Sequence, residues 1–98
     1  MSEVLSVCVT IVQPDGTQTT DGIYGVDSVP AASDLLNDPS VQEGVEGIKV
    51  HGLPCMVWSS PEGEENWKAT LFANEHPIYG PAVVFSAWEV SALPSSFL

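Results

Sequence analysis

Arginine is missing from this chain altogether, and lysine occurs only as Lys49 and Lys68, against thirteen acids, for a formal net charge of −11. A protein that grips phosphates needs clustered cations to release counterions. Two lysines cannot form such a cluster, which argues against direct nucleic-acid binding. Long apolar runs are missing too: no stretch approaches the roughly eighteen residues of a membrane helix, and Met1 to Val12 lacks the basic start of a signal peptide. The expectation is a cytoplasmic protein without membrane association. Cysteine is scarce. Cys8 and Cys55 could make at most one disulfide, and in that compartment they read as buried small hydrophobes.

What is present fits one small domain spanning 1–98. A hydrophobic fraction of 44% in 98 residues is enough for one core but a thin one, which association into a homodimer would reinforce. The negative field would attract a basic protein partner and also keeps the chain soluble.

"VLSVCVTIV" alternates, with Leu5, Val7, Val9 and Ile11 on one face and Ser6, Cys8 and Thr10 on the other, the pattern of a half-buried strand. "QPDGTQTT" supplies a tight reversal at Pro14, Asp15 and Gly16, and a hairpin strand returns from Thr17 to Tyr24. "DSVPAASDLLND" predicts one short helix, with Asp27 or Ser28 as N-cap, Pro30 in the first turn and Pro39 as the stop. Extended segments follow at 47–50, 55–59, 67–73 and 82–90, the loop "SPEGEEN" reading as a hairpin connection. The last strand is apolar on both faces and suits a central position. The tail 92–98, with Leu93, Phe97 and Leu98, has no pattern and either packs back or frays. The fold expected is α+β, a mainly antiparallel sheet of about five strands with one short helix; an all-β roll or barrel is the alternative.

Few constellations carry chemistry. His51, Cys55, Cys8 and His76 could ligate zinc, but no Cys-x-x-Cys knuckle organises them. Cys55 with His51 or His76 could be a nucleophile and base lining a cleft, yet a thiolate needs an electropositive setting that this composition does not supply. "DGTQTTD" lacks the ligand series of a calcium loop, and "GIYG", "EGVEG" and "YGP" lack the phosphate-binding lysine. No cofactor, metal or catalytic residue is expected. Trp58, Trp67 and Trp88 are bulk for the core or, where exposed, anchors for a partner.

"NWKATLFAN" and "YGPAVV", about a fifth of the chain, resemble segments of a family of small uncharacterised proteins carried by actinobacterial phages and other mobile elements. The chain is also similar in type to small acidic DNA mimics that inhibit host DNA-handling or defence proteins. Neither resemblance transfers a functional residue. The function expected is a non-enzymatic protein-binding module. An acidic surface would act through Asp15, Asp21, Asp27, Asp34, Asp38, Glu43, Glu46, Glu62, Glu64 and Glu65. The alternatives are a small enzyme or ligand carrier around His51, Cys55 and His76, and an oligomeric structural protein that pairs exposed strand edges.

Overall fold

The computed structural model describes residues 5–41, 44–50, 53–60 and 62–89. Five strands, β1 (Leu5–Val12), β2 (Gln18–Gly25), β3 (Gly44–Val50), β4 (Leu53–Ser59) and β5 (Ala82–Glu89), form one open antiparallel sheet in the order β2-β1-β5-β4-β3. Two hairpins, β1–β2 and β3–β4, are joined through β5, which pairs with β1 on one side and β4 on the other. The central strand expected from its two apolar faces is therefore β5. Ala82 and Val84 point to one face and Val83 and Phe85 to the other.

Two short helices lie on opposite faces. Between β2 and β3 the chain crosses the sheet from edge to edge through a 3-10 turn (Val26–Ser28) and α1 (Ala32–Leu35). Val29, Ala32, Leu35, Leu36 and Val41 cover Val7, Val9 and Val83 on that face. The helix expected here exists but begins later and is a single turn: Ala31 occupies the N-cap with no side-chain hydrogen bond. Asp27 and Ser28 belong to the preceding 3-10 turn. Asn37, at φ 52°, ends α1.

The opposite face carries a correction. Residues 67–73, expected as a strand, form α2 (Trp67–Phe72), so "SPEGEEN" leads into a helix and not into a hairpin partner. Ala69, Ala73 and Phe72 pack on Val12, Cys55, Val57, Ala82 and Val84. Ala69 and Ala73 are four residues apart, so the buried stripe has helical spacing. The alternation of Trp67, Ala69 and Leu71 has the spacing of a buried strand face, but only Ala69 is buried; Trp67 and Leu71 are exposed.

Asn66 decides the matter. It is fully buried, and its side-chain oxygen accepts a hydrogen bond from the Ala69 N–H (3.1 Å), capping the first turn of α2. Its Nδ2 donates to the Val12 carbonyl at 2.9 Å and to the Gly80 carbonyl at 2.8 Å. One side chain thus ties the end of β1, the start of α2 and the approach to β5. The Asn66 N–H donates to Ile78 O (2.8 Å) and the Gly80 N–H to Glu64 O (2.7 Å), closing the neck of the excursion that holds α2. Gly80, at φ 69°, fits this neck because a Cβ there would stand 2.5 Å from the Glu62 carbonyl oxygen.

The fold is small and sheet-rich, with little helix. Among the described residues no helix is long and apolar enough to cross a membrane. Glu43, His51 and the tail 92–98 lie outside the described residues.

Candidate functional site

The outer face of α2 is apolar and uncovered. Trp67 and Leu71, one helical turn apart, are 53% and 57% exposed, and the Lys68 ammonium lies 5.6 Å from the centroid of the Trp67 ring. Beside them a shallow cavity of about 270 Å³ is lined by Gln18, Ile48, Lys68, Leu71 and Phe72. Ile48, Leu71 and Phe72 give it apolar walls, and Lys68 is the one charged residue on its lining.

This arrangement follows from local defects in regular structure. β3 carries a bulge: Glu46 pairs with Met56 and Lys49 with Pro54, so Gly47 and Ile48 share one partner position. In a regular strand two successive residues would point to opposite faces. At the bulge, Gly47 approaches α2 so closely that a Cβ would stand 2.0 Å from the Phe72 carbonyl oxygen, and Ile48 also turns toward Leu71 and Phe72. Ile48, 41% exposed, thereby joins the apolar face of α2. At the other end, Gly16 of the β1–β2 turn lies against the indole of Trp67. Asn74 and Glu75, at φ 56° and 69°, terminate α2 beyond Phe72.

The other sequence candidates separate. Trp58 packs into the core on the α1 side, where its ring covers Gly44. Its indole N–H is buried without a hydrogen-bond partner among the described residues. Trp88 lies in β5, and its side chain falls outside what is described. Of the two indoles whose side chains are described, Trp67 is the exposed one.

Cys55 is fully buried in the core beneath α2, its thiol donating weakly to the Phe72 carbonyl at 3.5 Å. Burial pushes the thiol above its ordinary pKa, the opposite of what a nucleophile needs. His76 is exposed in the turn after α2. Cys8 and Cys55 are free thiols. No group of three or more His, Cys, Asp and Glu side chains that could hold a metal occurs among the described residues.

The acids are distributed over many elements. Asp15 sits in the β1–β2 turn, where its carboxylate accepts the Thr17 N–H at 2.8 Å, which lowers its pKa. Asp21 is the extra residue of a second bulge, in β2, and accepts a short hydrogen bond from the Tyr24 hydroxyl. Asp27, Asp34 and Asp38 belong to the crossover on the α1 side, and Glu46 to the β3 edge. Glu62, Glu64 and Glu65 lead into α2, and Glu64 borders a second shallow depression with Asp15.

Sequence reasoning missed Asn66 and Ile48. An N-cap residue three positions before Ala69 was the available signal for the first. Nothing local announces the β3 bulge that re-aims the second. Comparison with protein-family models, curated proteins and solved structures gives no match.

Proposed function

We propose that this chain is a non-enzymatic binding module that engages a protein partner through the outer face of α2. The observation that carries this reading is the exposure of Trp67 and Leu71 one turn apart on α2, with Leu71 also lining an apolar cavity together with Ile48 and Phe72. Scattered exposed hydrophobes are ordinary; a contiguous group containing a Trp is what protein interfaces use as an anchor. Covering the exposed halves of Trp67 and Leu71 would contribute on the order of 1 kcal/mol each. The apolar face favours this reading over a purely electrostatic mimic of DNA, since the acids described lie on both sides of the sheet. The buried, high-pKa Cys55 gives an enzymatic reading little to work with. The free thiols of Cys8 and Cys55 fit a reducing compartment, the cytoplasm.

The test is capture from a lysate of the organism that encodes the protein, at low and high salt, with the wild-type chain and Leu71→Ser side by side. A partner retained by the wild type and depleted at least ten-fold by Leu71→Ser is expected. Equal capture by both proteins, or capture by neither, overturns the reading.

A further inference from the structure

We propose that the groove between α2 and the β3 bulge receives an apolar side chain of the partner with a single carboxylate beside it, the side chain seated among Ile48, Leu71 and Phe72 and the carboxylate on the Lys68 ammonium; this rests on the α2 face being the binding surface. Size, lining and charge select that chemistry.

At about 270 Å³ the cavity is smaller than the roughly 300–1,000 Å³ that encloses a small-molecule ligand, but it has room for one large aliphatic or aromatic side chain. Ile48 from the sheet edge and Leu71 and Phe72 from the helix offer that side chain apolar contact. Ile48 and Leu71 are 41% and 57% exposed, so the apolar surface is there to be covered.

The sign of the charge at the groove is opposite to that of the chain as a whole. Thirteen acids give the molecule its net charge of −11, yet no described carboxylate lines this cavity, and the one charged residue that does is Lys68. Lys49, the chain's other lysine, is exposed and directly follows Ile48 in β3. Lys68 forms no ion pair among the described residues. Its ammonium lies 5.6 Å from the centroid of the Trp67 ring, a contact that holds the charge at the helix surface without neutralising it.

Range then separates the occupants. At physiological ionic strength the Debye length is about 8 Å, so a group seated in the groove responds to Lys68 before it responds to acids elsewhere on the molecule. A segment with cations flanking its anchor would meet Lys68 there and be disfavoured. A strongly acidic surface, a second copy of this chain included, would be held off at longer range by the net charge of −11. One carboxylate next to one apolar side chain satisfies both constraints. The side chain supplies most of the affinity, and the exposed ion pair adds a few-fold preference.

The experiment is an amide NMR titration of the full chain at about 0.15 M salt, where screening leaves the local charge in control. Four eight-residue Gly/Ser peptides, blocked at both ends, carry the central pair Phe-Glu, Phe-Gln, Phe-Lys or Ser-Glu. Phe-Glu is expected to shift the amides of Ile48, Lys68, Leu71 and Phe72, binding at least three-fold tighter than Phe-Gln and Phe-Lys and at least five-fold tighter than Ser-Glu. Lys68→Gln should erase the preference for Phe-Glu over Phe-Gln. Leu71→Ser should weaken both of those peptides at least five-fold. Gln keeps a long stem and a similar helix propensity, and Leu71 is exposed, so both variants are expected to keep the wild-type amide spectrum away from the substitution. Phe-Glu binding no tighter than Phe-Gln or Phe-Lys, or a preference for it that survives Lys68→Gln, overturns the carboxylate-bearing occupant and leaves the α2 face as a binding surface. Binding of the Phe peptides that ignores Leu71→Ser overturns the groove as the seat of the anchor. Failure of all four peptides to shift the groove amides overturns this inference alone, since partner capture with Leu71→Ser tests the α2 face independently.

Discussion

The excursion from Glu64 to Gly80 and the crossover from Val26 to Val41 lie on opposite faces of the same sheet, and different forces hold them there. On the first, the fully buried Asn66 makes three hydrogen bonds that tie α2 to the end of β1 and to the neck before β5. On the second, α1 has no side-chain cap and rests on apolar packing of Val29, Ala32, Leu35 and Leu36. A helix fixed only by burial must bury most of its apolar surface. A helix fixed by directed bonds in a dry environment can leave part of that surface uncovered. α2 does so with Trp67 and Leu71, which is why the candidate surface is found on that face.

The sharpest way to break this difference is Asn66→Ala. It strands the carbonyls of Val12 and Gly80 and uncaps α2, for an expected loss of about 3–5 kcal/mol in urea unfolding. Asn66→Asp should be at least as damaging, because it removes both donors and buries a charge. A loss below about 1 kcal/mol for either would show that apolar packing alone holds α2.

Gly47→Ala comes next. The added methyl would meet the backbone carbonyl of Phe72, and the expected cost is about 1–3 kcal/mol, with β3 and α2 pushed apart.

On the opposite face the expected sign reverses. Ala31 already has the extended conformation of an N-cap (φ −69°, ψ 145°) and is exposed, so Ala31→Ser should add about 0.5–1 kcal/mol of stability. No gain would mean that α1 is positioned by its packing so fully that a cap is redundant.

The smallest effect is in acid, and it samples both sides equally. Asp15 is held below the usual carboxylate range by the Thr17 N–H, and Asp38 by the Ser40 hydroxyl and N–H. With folded values depressed, their contribution is complete above the unfolded value near 4 and disappears as pH falls through the lower folded values. Carboxyl-carbon NMR titration should find these two among the last aspartates to protonate, with Thr17 and Ser40 amides shifting alongside them.

The strands were legible because alternation is a direct image of the pleat: 5–12 and 82–89 carry it plainly, and "CMVWS" is bounded by clear turn residues. α2 was not legible. Its six residues are too few to display helical spacing, Trp, Thr and Phe favour strands, and the two exposed hydrophobes completed a false alternation. The residue that settles it is polar, and polar residues are ordinarily assigned to the surface; only the structure reveals that Asn66 has 0% exposure. The candidate surface was legible in part, through Trp67 as one of three possible anchors. Ile48 could not be placed, because its direction depends on a bulge in a pairing that a local pattern does not encode. The ten candidate acids were visible as a list, but the distribution of the nine described ones over the fold required the topology.

The pairing of β1 with β5 has a consequence in time. Val9 is registered opposite Phe85, so one side of β1 is completed by the last described strand of the sheet, while β2 completes the other side almost at once. During synthesis the β1–β2 hairpin emerges early, with an apolar, unpaired inner edge that waits for most of the chain to follow. Closing so long a loop is slow compared with making a hairpin, and an exposed edge invites pairing with whatever strand is near. The nascent chain is therefore most vulnerable to misassociation between the appearance of β2 and that of β5, and its sheet closes only once β5 has emerged.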